Sequence, residues 1–199
     1  MPRAATRVHH ARAVFTSTTT LPGPDMATSF KLEHDFPDIP VDVFEAFLND
    51  PELIKMLDKM PAFRSRDLVD TKKNPDGSTT WRFKVVAGGD VPSSVRKVVN
   101  EEMLTWHEDT RFVPAEHTIH WTIVPLAAKA QQLLESHGTW RLIPAGKGTK
   151  RVIEGHITVK VPLVGKVVEQ YLASELKRNY DVEPDIQRTF YRKKMAQKT

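Results

Sequence analysis

Between Phe63 and Lys160 apolar residues recur at every second position in one short run after another, and directly after Pro162 the period changes to 3.6. No other feature constrains the chain as much. Successive side chains alternate faces on a strand, whereas a helix brings positions i, i+3, i+4 and i+7 to one side. The pattern therefore specifies an antiparallel sheet with one buried face and a long helix available to cover it. Ahead of this region, Phe30, Leu32, His34 and Phe36 alternate with Lys31, Glu33 and Asp35, giving a first strand that Pro37 and Pro40 end. Val43, Phe44, Phe47 and Leu48 then follow helical spacing as far as Asn49-Asp50-Pro51. There Asp50 can cap a second short helix containing Leu53, Ile54 and Leu57.

Within the strand region, Asn74-Pro75-Asp76-Gly77 supplies the preset φ and the left-handed position of a tight turn. It predicts a hairpin from Phe63–Val69 to a return arm carrying Trp81, Phe83 and Val85 on one face. Leu104 and Trp106 share a face with Phe112, as do Ile119, Trp121 and Ile123, and likewise Trp140 and Leu142, so all four tryptophans fall on strands. Pro144-Ala145-Gly146-Lys147-Gly148 turns into a last strand with Ile153, Ile157, Val159 and Val161 on one side and Glu154, His156, Thr158 and Lys160 on the other. Two stretches fit more than one state: Val91 to Asn100, and Pro125 to Glu135, where the composition suits a helix but a strand starting before His137 also fits. In the C-terminal helix Val164, Val167, Val168, Tyr171, Leu172 and Leu176 form an apolar stripe, and Pro184 predicts a kink or break near Asp181 to Glu183.

A chain of 199 residues with 40% apolar content can bury one sizeable core, and one domain is expected over residues 26–199. Residues 1–25 read as a disordered leader or a mis-assigned start. They carry Arg3, Arg7 and Arg12, a Ser/Thr run and only Asp25 as an acid, in the manner of a transit peptide, and they lack the apolar run of a secretory signal. Met26, directly before the first strand, is the expected native start. The absence of cysteine rules out disulfides, thiolate metal sites and thiol nucleophiles, and the cytoplasm is the expected location. The net charge of +4 is spread along the chain, and the leader accounts for two of those charges, leaving about +2. Without a concentrated basic stripe, nucleic acid is not an expected partner.

Two segments carry a family resemblance. Val41-Asp42-Val43-Phe44-Glu45-Ala46-Phe47-Leu48-Asn49-Asp50-Pro51-Glu52 is similar to the first helix and Asp-Pro step of many START-related, birch-pollen-allergen-like proteins (the SRPBCC superfamily). Val159-Lys160-Val161-Pro162-Leu163-Val164-Gly165-Lys166-Val167-Val168-Glu169 resembles the strand-to-helix junction of an uncharacterised bacterial family in that superfamily. The likeness spans about Met26 to Lys194. It implies an α+β helix-grip fold, a curved antiparallel sheet of six or seven strands around a long C-terminal helix, with a tunnel between the two. It implies function less sharply, because the superfamily includes lipid and sterol carriers, aromatase/cyclases and quinone-binding proteins.

The resemblance places Trp81, Phe83, Val85, Trp106, Phe112, Trp121, Ile123 and Trp140 on the inner face of the sheet, opposite Val164, Val168 and Leu172 of the helix, as candidate ligand-binding residues. His34 and Glu108 are candidate polar anchors for a ligand hydroxyl or carbonyl. No catalytic set is expected, since acid, base and orienting group cannot be brought together from sequence. Neither a metal nor a cofactor is expected. His117 and His120, three apart on a strand, would face opposite ways, and Gly146-Lys147-Gly148-Thr149 lacks the earlier glycine of a phosphate loop. The basic end Arg188, Arg192, Lys193, Lys194 and Lys198 can touch an anionic membrane transiently or simply be a solvated helix end. The expected function is a carrier or sensor of a hydrophobic small molecule, a lipid such as a sterol or polyisoprenoid. The alternatives are a polyketide cyclase or dehydratase using the same cavity, and a partner-binding module with a filled core.

Overall fold

The computed structural model describes residues 12–14, 27–58, 60–88 and 102–197. In chain order these form β1 (Arg12–Val14), β2 (Thr28–Phe36), α1 (Val41–Ala46), α2 (Pro51–Leu57), β3 (Phe63–Lys73), β4 (Thr79–Ala87), β5 (Thr105–Val113), β6 (Thr118–Pro125), α3 (Ala128–Leu133), β7 (Leu134–Ala145), β8 (Gly148–Val159) and α4 (Gly165–Ala196). The strands make one antiparallel sheet in the order β1-β2-β8-β7-β6-β5-β4-β3. From β2 the chain crosses through α1 and α2 to the far edge and returns as a meander, so that β8 pairs with β2. Asp50 caps α2 as expected, its Oδ1 accepting from the Glu52 amide at 2.9 Å. β1 is a three-residue edge strand within the stretch read as a leader, paired with Lys31–Glu33 of β2. Val91 to Asn100, Met26 and Lys198 lie outside the described residues.

The concave face is shaped where Gly138 of β7 pairs with Gly155 of β8. A Cβ on Gly138 would sit 2.1 Å from the Glu154 carbonyl oxygen, and one on Gly155 would sit 2.5 Å from Trp121 Cζ2 and 2.6 Å from Phe30 Cζ. The two glycines leave a bay in which the Phe30 and Trp121 rings stack, 6.1 Å between centroids. Glu169, buried in the first turns of α4, fixes the start of the helix by accepting from Thr28 Oγ1 (2.6 Å) and from the Val159 amide (2.9 Å). Its other end packs into a core of Phe36, Phe44, Leu53, Phe190 and Tyr191, where Tyr191 Oη donates to the Phe44 carbonyl at 2.9 Å.

Three expectations need correcting. Of the kink or break expected near Asp181 to Glu183, the break does not occur: α4 runs for 32 residues through Pro184. Proline deletes one helical N–H, and the Tyr180 carbonyl that would have accepted it is reached by the His34 ring, while Phe190 and Tyr191 anchor the turns beyond. Val167 is 44% exposed and so leaves the apolar stripe, whose face runs on beyond Leu176 as a largely buried polar one through Tyr180, Glu183 and Gln187. His117 is not on a strand. It ends the 3-10 turn Pro114–Glu116 in the left-handed region (φ 49°), where its Nδ1 lies 2.6 Å from Glu45 Oε1. Pro125 to Glu135, open between two states, contains both: α3, and β7 from Leu134.

Candidate functional site

Between the concave face and the N-terminal half of α4 lies a cavity of about 250 Å³. The strands contribute Trp106 and Glu108 (β5), Trp121 and Ile123 (β6), and Ser136 and Trp140 (β7). The helix contributes Val168, Leu172, Leu176, Tyr180 and Glu183, which follow one another at steps of three and four residues and so lie on one face. Trp106, Trp140, Leu172, Leu176 and Tyr180 line this interior space, yet none is fully buried. A packed core leaves few voids larger than a water molecule, so this face of α4 is hollow.

One group of sequence-predicted residues meets at the cavity: Trp106, Glu108, Trp121, Ile123, Trp140, Val168 and Leu172. The others lie elsewhere. Trp81, Phe83, Val85 and Phe112 do not line the cavity: they form a core cluster with Ile119, packed by Leu48 and Ile54 and by the cavity-lining Trp106 and Trp140, with the Trp81 and Phe112 rings stacked 6.2 Å apart. Val164 is the residue preceding the first turn of α4 and does not line the cavity. His34 lies outside the lining, among buried polar groups that hold Glu183.

The polar side of the cavity is built from the expected Glu108 together with Arg66, Tyr180 and Glu183, which were not among the candidate residues. Arg66 of β3 forks onto Glu108, with Nη2 2.8 Å from Oε1 and Nε 3.5 Å from Oε2, and its guanidinium lies 3.5 Å from the centroid of Phe83. Both partners are largely desolvated, which strengthens their attraction and also makes each costly to leave alone. Burial, reinforced by the Glu183 carboxylate, pushes the Tyr180 phenol well above its ordinary range, so the side chain is a neutral hydroxyl.

Behind Glu183 is a fully buried network. Arg151 of β8 has no exposed surface. Its Nη1 donates to Glu183 Oε1 (2.8 Å) and Gln187 Oε1 (3.0 Å), and its Nη2 donates to Glu183 Oε2 and to His34 Nδ1 (3.1 Å). Burial first, and then the positive Arg151 and Arg188, hold the His34 pKa down to about 2. Because Nδ1 accepts from a guanidinium that cannot lose its proton, the hydrogen-bond network assigns the imidazole proton to Nε2, directed at the Tyr180 carbonyl. Signals for these residues were present. Arg151 has the same parity as Ile153 and Ile157, which places it on the inner face, and Tyr180, Glu183 and Gln187 extend the helical stripe.

Among the described residues no group of three or more His, Cys, Asp or Glu could hold a metal ion, and no helix is long and apolar enough to cross a membrane. Gly146 (φ 62°) serves the β7–β8 turn. The basic end of α4 is matched by acids: Arg192 with Asp38 (3.3 Å), Lys193 with Glu52 (2.5 Å) and Lys194 with Asp50 (3.1 Å).

A family model described as "Protein of unknown function (DUF2505)" matches residues 31–190. Among solved structures, the Zhui aromatase/cyclase from Streptomyces sp. R1128 superposes with a TM-score of 0.55 at 16% identity, covering 84% of this chain and 96% of that one. Norcoclaurine synthase from Thalictrum flavum gives 0.54 at 16% identity, covering 96% and 97%. TTHA0849 from Thermus thermophilus gives 0.55 at 17% identity, covering 82% and 96%. No curated protein matches. At these identities the likeness is one of fold: the chain has the helix-grip architecture.

Proposed function

Since the chain belongs to the DUF2505 family, described as proteins of unknown function, and has a hollow helix-grip fold, we propose that it binds a compact, largely apolar small molecule between the sheet and α4, as a carrier or sensor. The observation that carries this reading is the unfilled apolar interior where Trp106, Trp140, Leu172 and Leu176 face one another across open space. Size narrows the ligand. A dry protein cavity of about 150 Å³ holds benzene, so 250 Å³ suits about ten heavy atoms, a fused bicyclic ring. Drug-sized ligands occupy pockets of about 300–1,000 Å³. A sterol or polyisoprenoid therefore requires this cavity to widen. At ~0.6 kcal/mol per heavy atom, between the drug-sized and fragment limits, ten atoms give ~6 kcal/mol and a Kd of tens of micromolar.

Calorimetric titration with 2-naphthol tests the reading. Wild type is expected to bind one equivalent in that range, and Leu172→Trp, which fills the cavity, is expected to abolish binding. Absence of any binding heat from wild type, or unaltered binding by the filled variant, counts against a cavity ligand.

A second reading, a cyclase or dehydratase acting in the same cavity, is favoured by the Arg66–Glu108 pair and the Tyr180 hydroxyl, which supply a cation, an anion and a neutral phenol to one site. Turnover of a polyketide-like poly-β-ketone by wild type and its loss in Glu108→Gln would establish chemistry there. Binding without turnover leaves the carrier or sensor reading in place.

A further inference from the structure

The ladder between β6 and β7 ends at Ile123 and Ser136. Beyond it, Val124 and Pro125 pair only with β5, and Leu134 and Glu135 pair only with β8. The short α3 crosses this gap. It is tied on one side by Gln131 Nε2, donating to the Pro125 carbonyl at 2.8 Å, and on the other by the Lys160 amide, donating to the Leu133 carbonyl at 2.7 Å. Ala130 is the inner face of α3 and lines the cavity. Outside the same gap is a groove of about 380 Å³ with Thr122, Gln132, Glu135, His137 and Lys160 on its walls. Ile123, Leu134 and Ser136 border both the groove and the cavity. The two spaces thus lie back to back where no inter-strand hydrogen bonds hold the sheet together.

We infer that the ligand is an amphiphile that spans this gap, its apolar body in the cavity and an uncharged hydrogen-bonding head in the outer groove between β6 and β7. The inference rests on the cavity-binding reading above and adds the class of ligand and the direction in which it lies. The charge balance of the groove selects the head. Lys160 is matched by Glu135 at 3.6 Å, so neither a cation nor an anion finds an unmatched counter-charge, whereas Thr122, Gln132 and His137 offer donors and acceptors to hydroxyl groups. A sugar or polyol head fits both the chemistry and the space, and it remains hydrated while the body is buried.

The test compares 2-naphthol with 2-naphthyl β-D-glucoside by calorimetry on the full chain. The glucoside is expected to bind wild type within about threefold of 2-naphthol, because its added bulk lies outside the cavity. Thr122→Trp, and separately Gln132→Trp, which crowd the groove from exposed positions, are expected to weaken the glucoside about tenfold more than 2-naphthol. A glucoside more than about tenfold weaker than 2-naphthol on wild type overturns the inference, and so do groove variants that affect both ligands equally. Failure of both ligands to bind wild type overturns the cavity reading itself.

Discussion

Replacing Glu183 by Gln removes the carboxylate that neutralises Arg151 while keeping shape and hydrogen-bonding capacity. Arg151 is 0% and Glu183 2% exposed, so neither charge can turn to water when its partner is lost. Two unit charges about 4 Å apart attract by ~4 kcal/mol at the effective dielectric of protein sites, and breaking buried pairs costs about 3–5 kcal/mol. A loss of ~4 kcal/mol is expected, which at about 2–4 °C per kcal/mol for a chain of this size lowers Tm by roughly 8–16 °C. Urea unfolding followed by tryptophan fluorescence, together with scanning calorimetry, reads both quantities. The double variant Arg151→Met/Glu183→Leu leaves no lone charge, and its stability should recover to within about 2 kcal/mol of wild type, the remainder being His34 Nδ1 and Gln187 Oε1 left without their donor. If Glu183→Gln costs less than about 1 kcal/mol, or the double variant is less stable than the single, Arg151 and Glu183 are not a coupled buried pair.

His34 gives a pH signature. Its folded pKa of about 2 lies below the ordinary 6.5, so protons bind the unfolded chain preferentially. The stability it contributes is complete above pH 6.5 and declines by ~1.4 kcal/mol per unit below it, about 2 kcal/mol at pH 5. His34→Gln should flatten that slope in urea midpoints measured from pH 7 to 4.5, and an unchanged slope would mean that His34 is not held neutral. Gly155→Ala brings a methyl against Trp121 and Phe30 side chains and is expected to cost ~2 kcal/mol, partly restored by Phe30→Leu. Gly138→Ala meets the Glu154 carbonyl at 2.1 Å, and Phe30→Leu should not rescue it, a contrast readable in thermal melts.

Period located β2 to β8, α1, α2 and the long helix, because each of these buries one face and the burden of burial falls on alternate or helically spaced residues; β1, inside the stretch read as a leader, and α3, inside a stretch open between two states, were not among them. Two kinds of feature escaped it. Pro184 reads as a kink or a break in any single-helix argument, and only the tertiary fold shows the helix continuing, with His34 of β2 reaching the carbonyl that proline leaves free. The division of inward aromatics was also hidden: Trp81 and Trp121 have the same parity on their strands, yet one packs on Leu48, just after α1, and on Ile54 of α2, while the other faces the cavity that α4 leaves unfilled. Charged residues on the inner face, Arg66 and Arg151, went unweighed because parity arguments start from apolar side chains, although the parity of Arg151 with Ile153 would have placed it inside.

The most direct measurement is a crystal structure of the protein soaked with 6-bromo-2-naphthol, with bromine located by anomalous scattering. A single bromine site within the space bounded by Trp106, Trp140 and Leu172 is the expected result. Bromine bound only on the outer surface, or a cavity collapsed around these side chains with no bromine inside, would contradict a ligand-binding interior.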